Sequence, residues 1–256
     1  MTIFNKQLAT GFVFVFLILS GAQVFAGEVT VAVASNFLNP LKTLIQEFQK
    51  QSGHTVRTVS GSTGKLYAQI LHGAPFDVFL SADSERPRLL EQEGQAVAGT
   101  RFTYARGKIV LWSADPHRIN ADGQNILHRK NFRRLALANP KTAPYGKAAV
   151  TVLKRLNLWT SLSPLIVQGE NIGQTFQFVA TGNAEIGFVA LSQVGDPRLK
   201  NKGSRWIVPE HLYDAIDQDA VLLTRGESQP PARAFLLFLK SDPARERILN
   251  YGYGLK

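Results

Sequence analysis

Glu28-Val-Thr-Val-Ala-Val-Ala34 is a short apolar, largely β-branched run and reads as a buried strand. Ser35-Asn36 follow it. Beyond Pro40, Leu41, Leu44, Ile45 and Phe48 fall at i, i+3, i+4 and i+7, which predicts a helix that Gly53 ends. His54–Val59 is again strand-like and leads into Ser60-Gly-Ser-Thr-Gly64. Leu66, Ile70 and Leu71 then share one face of a second predicted helix, closed by Gly73-Ala-Pro75, and Phe76–Leu80 predicts a third strand. Strands separated by helices of about ten to fifteen residues make βαβ units, and therefore a parallel sheet.

The same grammar restarts downstream. Phe102–Trp112 reads as one long strand and residues 115–130 as a loop. Leu135–Ala138 predicts a strand that runs into Asn139-Pro-Lys-Thr-Ala-Pro-Tyr-Gly146, followed by a helix that turns Ala149, Val152, Leu153 and Leu156 inward. Further strands are expected at Leu165–Val167, Ile186–Ala190, Trp206–Val208 and Ala220–Leu223. Helices are expected at Gly173–Thr181, Ala232–Lys240 and Ala244–Tyr251. Two α/β units fit this pattern. The stretch 102–112 is the candidate crossing between them, and Asp219–Leu223 is the candidate return.

The N-terminus stands apart from both units. Lys6 is followed by the apolar run Gly11–Leu19, and Val24 and Ala26 occupy the −3 and −1 positions of a signal-peptide cleavage site after Ala26. The run is short for a membrane span. Removing residues 1–26 leaves 230 residues with 28 basic against 19 acidic side chains, or +9. The chain has no cysteine, which excludes disulfides, thiolate nucleophiles, thiolate metal sites and a lipid-anchored cysteine. A free protein in a periplasm-like compartment is expected, its positive field drawing anions.

Four segments fall at predicted strand ends: Ala34-Ser35-Asn36, Gly61-Ser-Thr-Gly-Lys65, Ala143-Pro-Tyr-Gly146 and Glu170-Asn-Ile-Gly173. Open parallel sheets bind ligands there, beside helix N-termini whose N–H groups attract anions. Any one segment alone is explained as a capped helix start, since Ser, Thr and Asn are preferred caps. Their recurrence points to one shared anion site. Gly61–Lys65 is not a phosphate-binding P-loop, because position 59 is valine and position 66 is leucine, without the magnesium-binding hydroxyl. A secreted serine hydrolase with Ser62 on a nucleophile elbow is the alternative from another class, although His72, His117, His128 and His211 have no distinctive setting. The five histidines form no metal-binding pair, and no basic–aromatic tract suggests nucleic acid.

Taken in order, Val33-Ala-Ser35-Asn36-Phe, Ser60-Gly-Ser-Thr-Gly-Lys-Leu66, Gly73-Ala-Pro-Phe-Asp-Val-Phe-Leu-Ser-Ala-Asp83, Ala138-Asn-Pro140, Ala143-Pro-Tyr-Gly146 and Gly187-Phe-Val-Ala-Leu191 resemble the periplasmic molybdate-binding proteins of molybdenum ABC importers. The resemblance covers nearly the whole mature chain and is most specific from Ser60 to Asp83. It implies a two-lobed type II periplasmic-binding fold of the α/β class, each lobe a mostly parallel sheet flanked by helices, joined by two hinge strands. Lobe I would span 27–104 and 213–256, and lobe II 105–212.

The resemblance further implies a non-enzymatic monomer without a cofactor, which binds molybdate or tungstate between its lobes and delivers it transiently to a membrane permease. Carried over position by position, the first hydroxyl of the oxyanion site falls on Ser35, with Asn36 beside it, the second hydroxyl on Thr63, where many members have serine, and the backbone donors of the second lobe on Tyr145 and Ile172. Ser35, Thr63, Tyr145 and Ile172 would meet molybdenum only through the oxygens of molybdate, never as direct metal ligands. Some members add a tyrosine hydroxyl where this chain has Ala190, so either another group replaces it, as Tyr145 or Asn36 could, or the oxyanion is held with fewer contacts. None of these donor positions is acidic, which favours a fully deprotonated oxyanion over hydrogen phosphate, with Glu170 two residues from Ile172 the nearest exception. A receptor for sulfate or another oxyanion is the related alternative.

Overall fold

The computed structural model describes residues 26–120, 123–195 and 203–256, so the signal peptide expected over 1–26 lies outside the described residues apart from Ala26. The chain opens with β1 (Glu28–Ala34), a one-turn 3-10 helix at Ser35–Phe37 and α1 (Leu38–Ser52), which ends at Gly53 in the left-handed region. β2 (Thr55–Gly61), α2 (Thr63–Leu71), β3 (Val78–Leu80) and α3 (Glu85–Gln92) follow. β4 (Phe102–Gly107) and β5 (Ile109–Ser113) come next, then α4 (Gln124–Arg129), β6 (Leu135–Ala138), α5 (Pro144–Arg155) and α6 (Trp159–Leu162). β7 (Ile166–Gly169), α7 (Ile172–Ala180), β8 (Ile186–Ala190), α8 (Leu191–Val194) and β9 (Ser204–Ile207) complete the middle of the chain. β10 (Ile216–Leu222), α9 (Pro230–Leu239) and α10 (Asp242–Asn250) close it.

The strands form two five-stranded sheets, ordered β2-β1-β3-β10-β4 and β7-β6-β8-β5-β9. In each sheet four strands point the same way and one crossing strand, β10 in the first and β5 in the second, runs antiparallel to both its neighbours. The apolar run of β1 is buried as its composition demands, with Val29, Val31, Ala32 and Val33 fully excluded from solvent. On one face of the first sheet, Phe37, Leu41, Leu44 and Phe48 of the α1 segment pack with Val31, Val33, Phe235 and Ile248. The core of the second lobe is built around Leu135, Leu137, Val152, Leu153 and Phe188.

Three local expectations change. The stretch 102–112 is not one strand: it breaks at Lys108, with β4 in the first sheet and β5 in the second. Gly107 stands at that break, where an added Cβ would lie 2.2 Å from the Tyr145 hydroxyl oxygen and 2.6 Å from Gln218 Nε2. The loop expected over 115–130 contains α4, a six-residue helix of less than two turns that buries Leu127. Leu71, expected on the inward face of α2, is 41% exposed because it ends that helix, while Leu66 and Ile70 are buried. The return strand begins at Ile216, opposite Gly107, so the two crossings lie side by side.

Candidate functional site

The ends of β1, β2, β6 and β7 deliver four turns to one place between the sheets. A small cavity of about 10 Å³ is lined there by Ala34, Ser35, Asn36, Gly61, Ser62, Thr63, Ala82, Ala143, Pro144, Tyr145 and Ile172. All five residues carried over from the sequence motifs line it: Ser35 and Asn36 from the 3-10 turn, Thr63 from α2, Tyr145 from α5 and Ile172 from α7. The volume is below the roughly 300–1,000 Å³ of sites for drug-sized ligands. The occupant is therefore a small species.

Three helices of nine, twelve and nine residues begin at this cavity. The first N–H groups of a helix lack intrahelical acceptors and carry its positive dipole end. In α5 the first residue is Pro144, which has no N–H, so Tyr145 supplies the first donor of that helix. In α7 the N-cap Asn171 accepts from Gln174 N–H at 3.0 Å, leaving Ile172 at the head of the turn. Gln193 braces that head, donating to the Ile172 carbonyl at 3.1 Å while accepting from the Ala190 N–H at 3.0 Å. Ala190 thus sits behind the cavity rather than in it.

Two side chains at the cavity hold unused hydrogen-bonding capacity. Ser62 occupies the N-cap of α2, where serine normally accepts from the helix, yet its side chain makes no capping bond. Its hydroxyl is buried and has no hydrogen-bond partner in the structure, and the same holds for Asn36 Oδ1. Buried polar groups are rarely left so, because each costs about 1–3 kcal/mol. Thr63 differs: its hydroxyl accepts the Ala82 N–H at 3.0 Å and so ties α2 to the end of β3. Ser62 is the hydroxyl that the motif alone did not single out for binding. Its signal was the Ser at an N-cap position, which propensity explains equally well as a cap.

The lobes meet around the cavity. Ser35 Oγ accepts the Gly173 N–H at 3.2 Å, so its own proton remains to be donated. Gly64 N–H donates to the Thr142 carbonyl at 2.8 Å. An added Cβ at Gly64 would lie 3.0 Å from Thr142 Cα, so glycine is what permits this approach. Lys65 pairs with Glu170 across the rim, both about half exposed. Glu170 therefore engages a lysine outside the cavity, and no charged side chain lines the cavity itself.

Behind the cavity Tyr145 Oη accepts from Gln218 Nε2 at 3.0 Å, so the Tyr145 phenol is engaged and its contribution to the cavity is its main-chain N–H. Burial pushes the phenols of Tyr104, Tyr145 and Tyr253 well above the usual tyrosine range, keeping them neutral. A larger groove beside the cavity carries Asp83, Asp214 and Asp217 as well as Arg86, Lys141 and Lys147. Its carboxylates are mostly paired, Asp83 with Arg86 and Asp217 with Arg106, and it lacks the cavity's convergent helix starts. Among the described residues no group of three or more His, Cys, Asp or Glu could hold a metal ion, and no helix is long and apolar enough to cross a membrane.

Comparison with known proteins agrees with this architecture. The family model described as bacterial extracellular solute-binding protein matches residues 29–254. The chain is 53% identical over 231 residues to the molybdate-binding protein ModA of Azotobacter vinelandii, covering 90% of this chain and 91% of that one. It is 47% identical over 254 residues to ModA of Rhodobacter capsulatus, covering 99% of each. The solved structure of the Azotobacter vinelandii periplasmic molybdate-binding protein superposes with a TM-score of 0.86 at 41% identity, over 89% of this chain and 99% of that one. With a two-lobed α/β fold and a match that spans nearly every described residue, the chain belongs to the bacterial extracellular solute-binding protein family.

Proposed function

We propose that this protein is a periplasmic receptor that binds molybdate between its two lobes and hands it to an ABC permease. The observation that carries the proposal is the buried, unpartnered Ser62 hydroxyl in an uncharged cavity where three helix starts converge. A dianion can be held there without a countercharge. Hydrogen bonds to charged groups contribute roughly 1.5–3 kcal/mol each, and preorganised helix starts add field without further ordering. The donor set is the hydroxyls of Ser35 and Ser62, the Asn36 amide, and main-chain N–H groups of Thr63, Tyr145 and Ile172. Thr63 thereby keeps its place in the site through its backbone, with its hydroxyl shaping the turn.

Names and chemistry support the choice of ligand together. The two relatives above are named for molybdate, and the cavity offers no carboxylate to accept the proton of hydrogen phosphate. Tungstate, nearly isosteric, binds the same site. The receptor is exported by cleavage after Ala26, works as a monomer, and closes by hinge motion between 27–104 with 213–256 and 105–212. The hydrolase alternative finds no support at Ser62, whose hydroxyl has no histidine within hydrogen-bond reach.

Calorimetric titration of the ligand-stripped mature protein with molybdate, tungstate, sulfate and phosphate at one ionic strength tests this. Tight one-to-one binding of molybdate and tungstate with much weaker sulfate is expected. Sulfate binding best would reassign the ligand, and labelling of Ser62 by a fluorophosphonate would overturn the receptor function.

A further inference from the structure

Asn36 presents an oxygen where an anion requires a donor. Its Nδ2 donates to Gln218 Oε1 at 2.8 Å and to Tyr253 Oη at 3.0 Å, neither of which lines the cavity. That leaves Oδ1, buried and without a partner, as the amide end at the cavity. A carbonyl oxygen opposite a dianion is repulsive. The side chain must therefore turn over when the anion arrives, and something must let it.

Gln218 is placed to do so. It is fully buried on β10, at the irregularity between Gln218 and Asp219 in the pairing with β4, a device that re-aims side chains. Its Nε2 donates to Tyr145 Oη at 3.0 Å, and its Oε1 also accepts from Tyr104 Oη at 3.1 Å. The phenols around it can exchange donor and acceptor roles, because a hydroxyl is both. If the two amides turn over together, Gln218 Nε2 donates to Asn36 Oδ1 and to Tyr104 Oη. The Tyr145 hydroxyl then donates to Gln218 Oε1. The Tyr104 proton keeps the Ser81 carbonyl, 3.0 Å away. Apart from the N and O that exchange places in the two amides, the heavy atoms stay where they are; Tyr253 Oη, which lay 3.0 Å from Nδ2, turns its proton to the Asn36 Oδ1 now there, while Ser192 Oγ keeps the Asn36 carbonyl, and the Asn36 Nδ2 is released toward the cavity.

We propose that Gln218 is a positioning residue that decides which end of the Asn36 amide faces the oxyanion, through this buried amide–phenol relay between the lobes. The proposal rests on the assignment of the cavity as the oxyanion site. Gly107 is part of the device, since any side chain there would occupy the space in which Tyr145 and Gln218 meet.

Gln218→Glu and Gln218→Met, titrated at pH 9 with molybdate and with phosphate, test it. An ionised carboxylate at 218 can only accept, so it pins Asn36 Nδ2 toward itself and leaves Oδ1 at the cavity. Methionine has a similar size and leaves Asn36 able to turn. Gln218→Glu should therefore lose about tenfold or more in molybdate affinity beyond Gln218→Met. Its affinity for hydrogen phosphate, which has a proton to offer Oδ1, should not fall in step. Equal losses in both variants, or parallel losses for both anions, would overturn the relay.

Side-chain 15N amide resonances of the wild-type protein give a second readout that needs no substitution. The Asn36 and Gln218 pairs should both shift when molybdate binds, and movement of Asn36 alone would also overturn the relay. Wild-type protein that binds neither anion would remove the site assignment itself, whereas binding with unaltered variants removes only the role of Gln218.

Discussion

Ser62→Ala separates the two hydroxyls of the Ser62-Thr63 turn. The Ser62 hydroxyl is buried, makes no hydrogen bond within the protein and does not cap α2, so its removal breaks nothing that holds the fold. Stability should hold or rise, by at most the roughly 1–3 kcal/mol that an unsatisfied buried group costs. In the complex the hydroxyl donates to a charged oxygen, a bond of about 1.5–3 kcal/mol, and its loss should raise the molybdate Kd about ten- to 150-fold. Thr63→Ala should show the opposite balance. Its hydroxyl accepts the buried Ala82 N–H, so removal orphans that donor and should cost about 1–3 kcal/mol, or roughly 2–10 °C in Tm for a domain of this size. Its effect on Kd should be the smaller. Calorimetric titration and thermal unfolding of both variants decide the matter. Unchanged affinity in Ser62→Ala, with affinity lost and Tm kept in Thr63→Ala, would return the binding hydroxyl to Thr63 and refute this reasoning.

Closure and pH supply three further tests. Gly64→Ala places a Cβ 3.0 Å from Thr142 Cα and 3.2 Å from the Thr142 carbonyl oxygen, so it should oppose closure and weaken molybdate binding about tenfold, while small-angle scattering shows a more open apo protein. The rim pair Lys65–Glu170 is about half exposed, so a double-mutant cycle of Lys65→Met and Glu170→Gln on the dissociation rate should give a coupling below about fivefold that shrinks in high salt. Asp217 is held below the usual carboxylate range, chiefly by its hydrogen bond from Arg106 Nε at 2.6 Å. Its stabilisation is present above about pH 4 and is lost as pH falls through the lowered folded value, so Asp217→Asn should flatten the acid limb of a stability–pH curve.

Much of the fold was legible because strands buried on both faces have no polar alternation to confuse them. β1, β6 and β8 fall where their apolar runs end, and α1 and α7 follow from a single apolar stripe each. What the residues concealed was set by tertiary partners. Arg106-Gly107-Lys108 interrupts the strand-like stretch 102–112 locally, but that it divides two sheets is set by the crossing between them and by the close approach of Tyr145 and Gln218 at Gly107. α4 is six residues long, less than two turns and too short for a period to register. At the site, the five residues the motifs named all line one cavity, but propensity cannot tell a serine that caps a helix from one that declines to. Gln218 carried no signal at all, since a lone glutamine in a strand acquires meaning only from Asn36 and Tyr145, 182 and 73 residues away.

The most direct test of where the anion sits is an anomalous difference map, at the molybdenum edge, from crystals grown with molybdate. One peak is predicted, in the cavity bounded by Ser35, Ser62, Tyr145 and Ile172, with Ser62 Oγ and the Tyr145 and Ile172 N–H groups within hydrogen-bond reach of its oxygens. A peak in the neighbouring groove beside Arg86 and Lys147, with the cavity empty, would contradict the account.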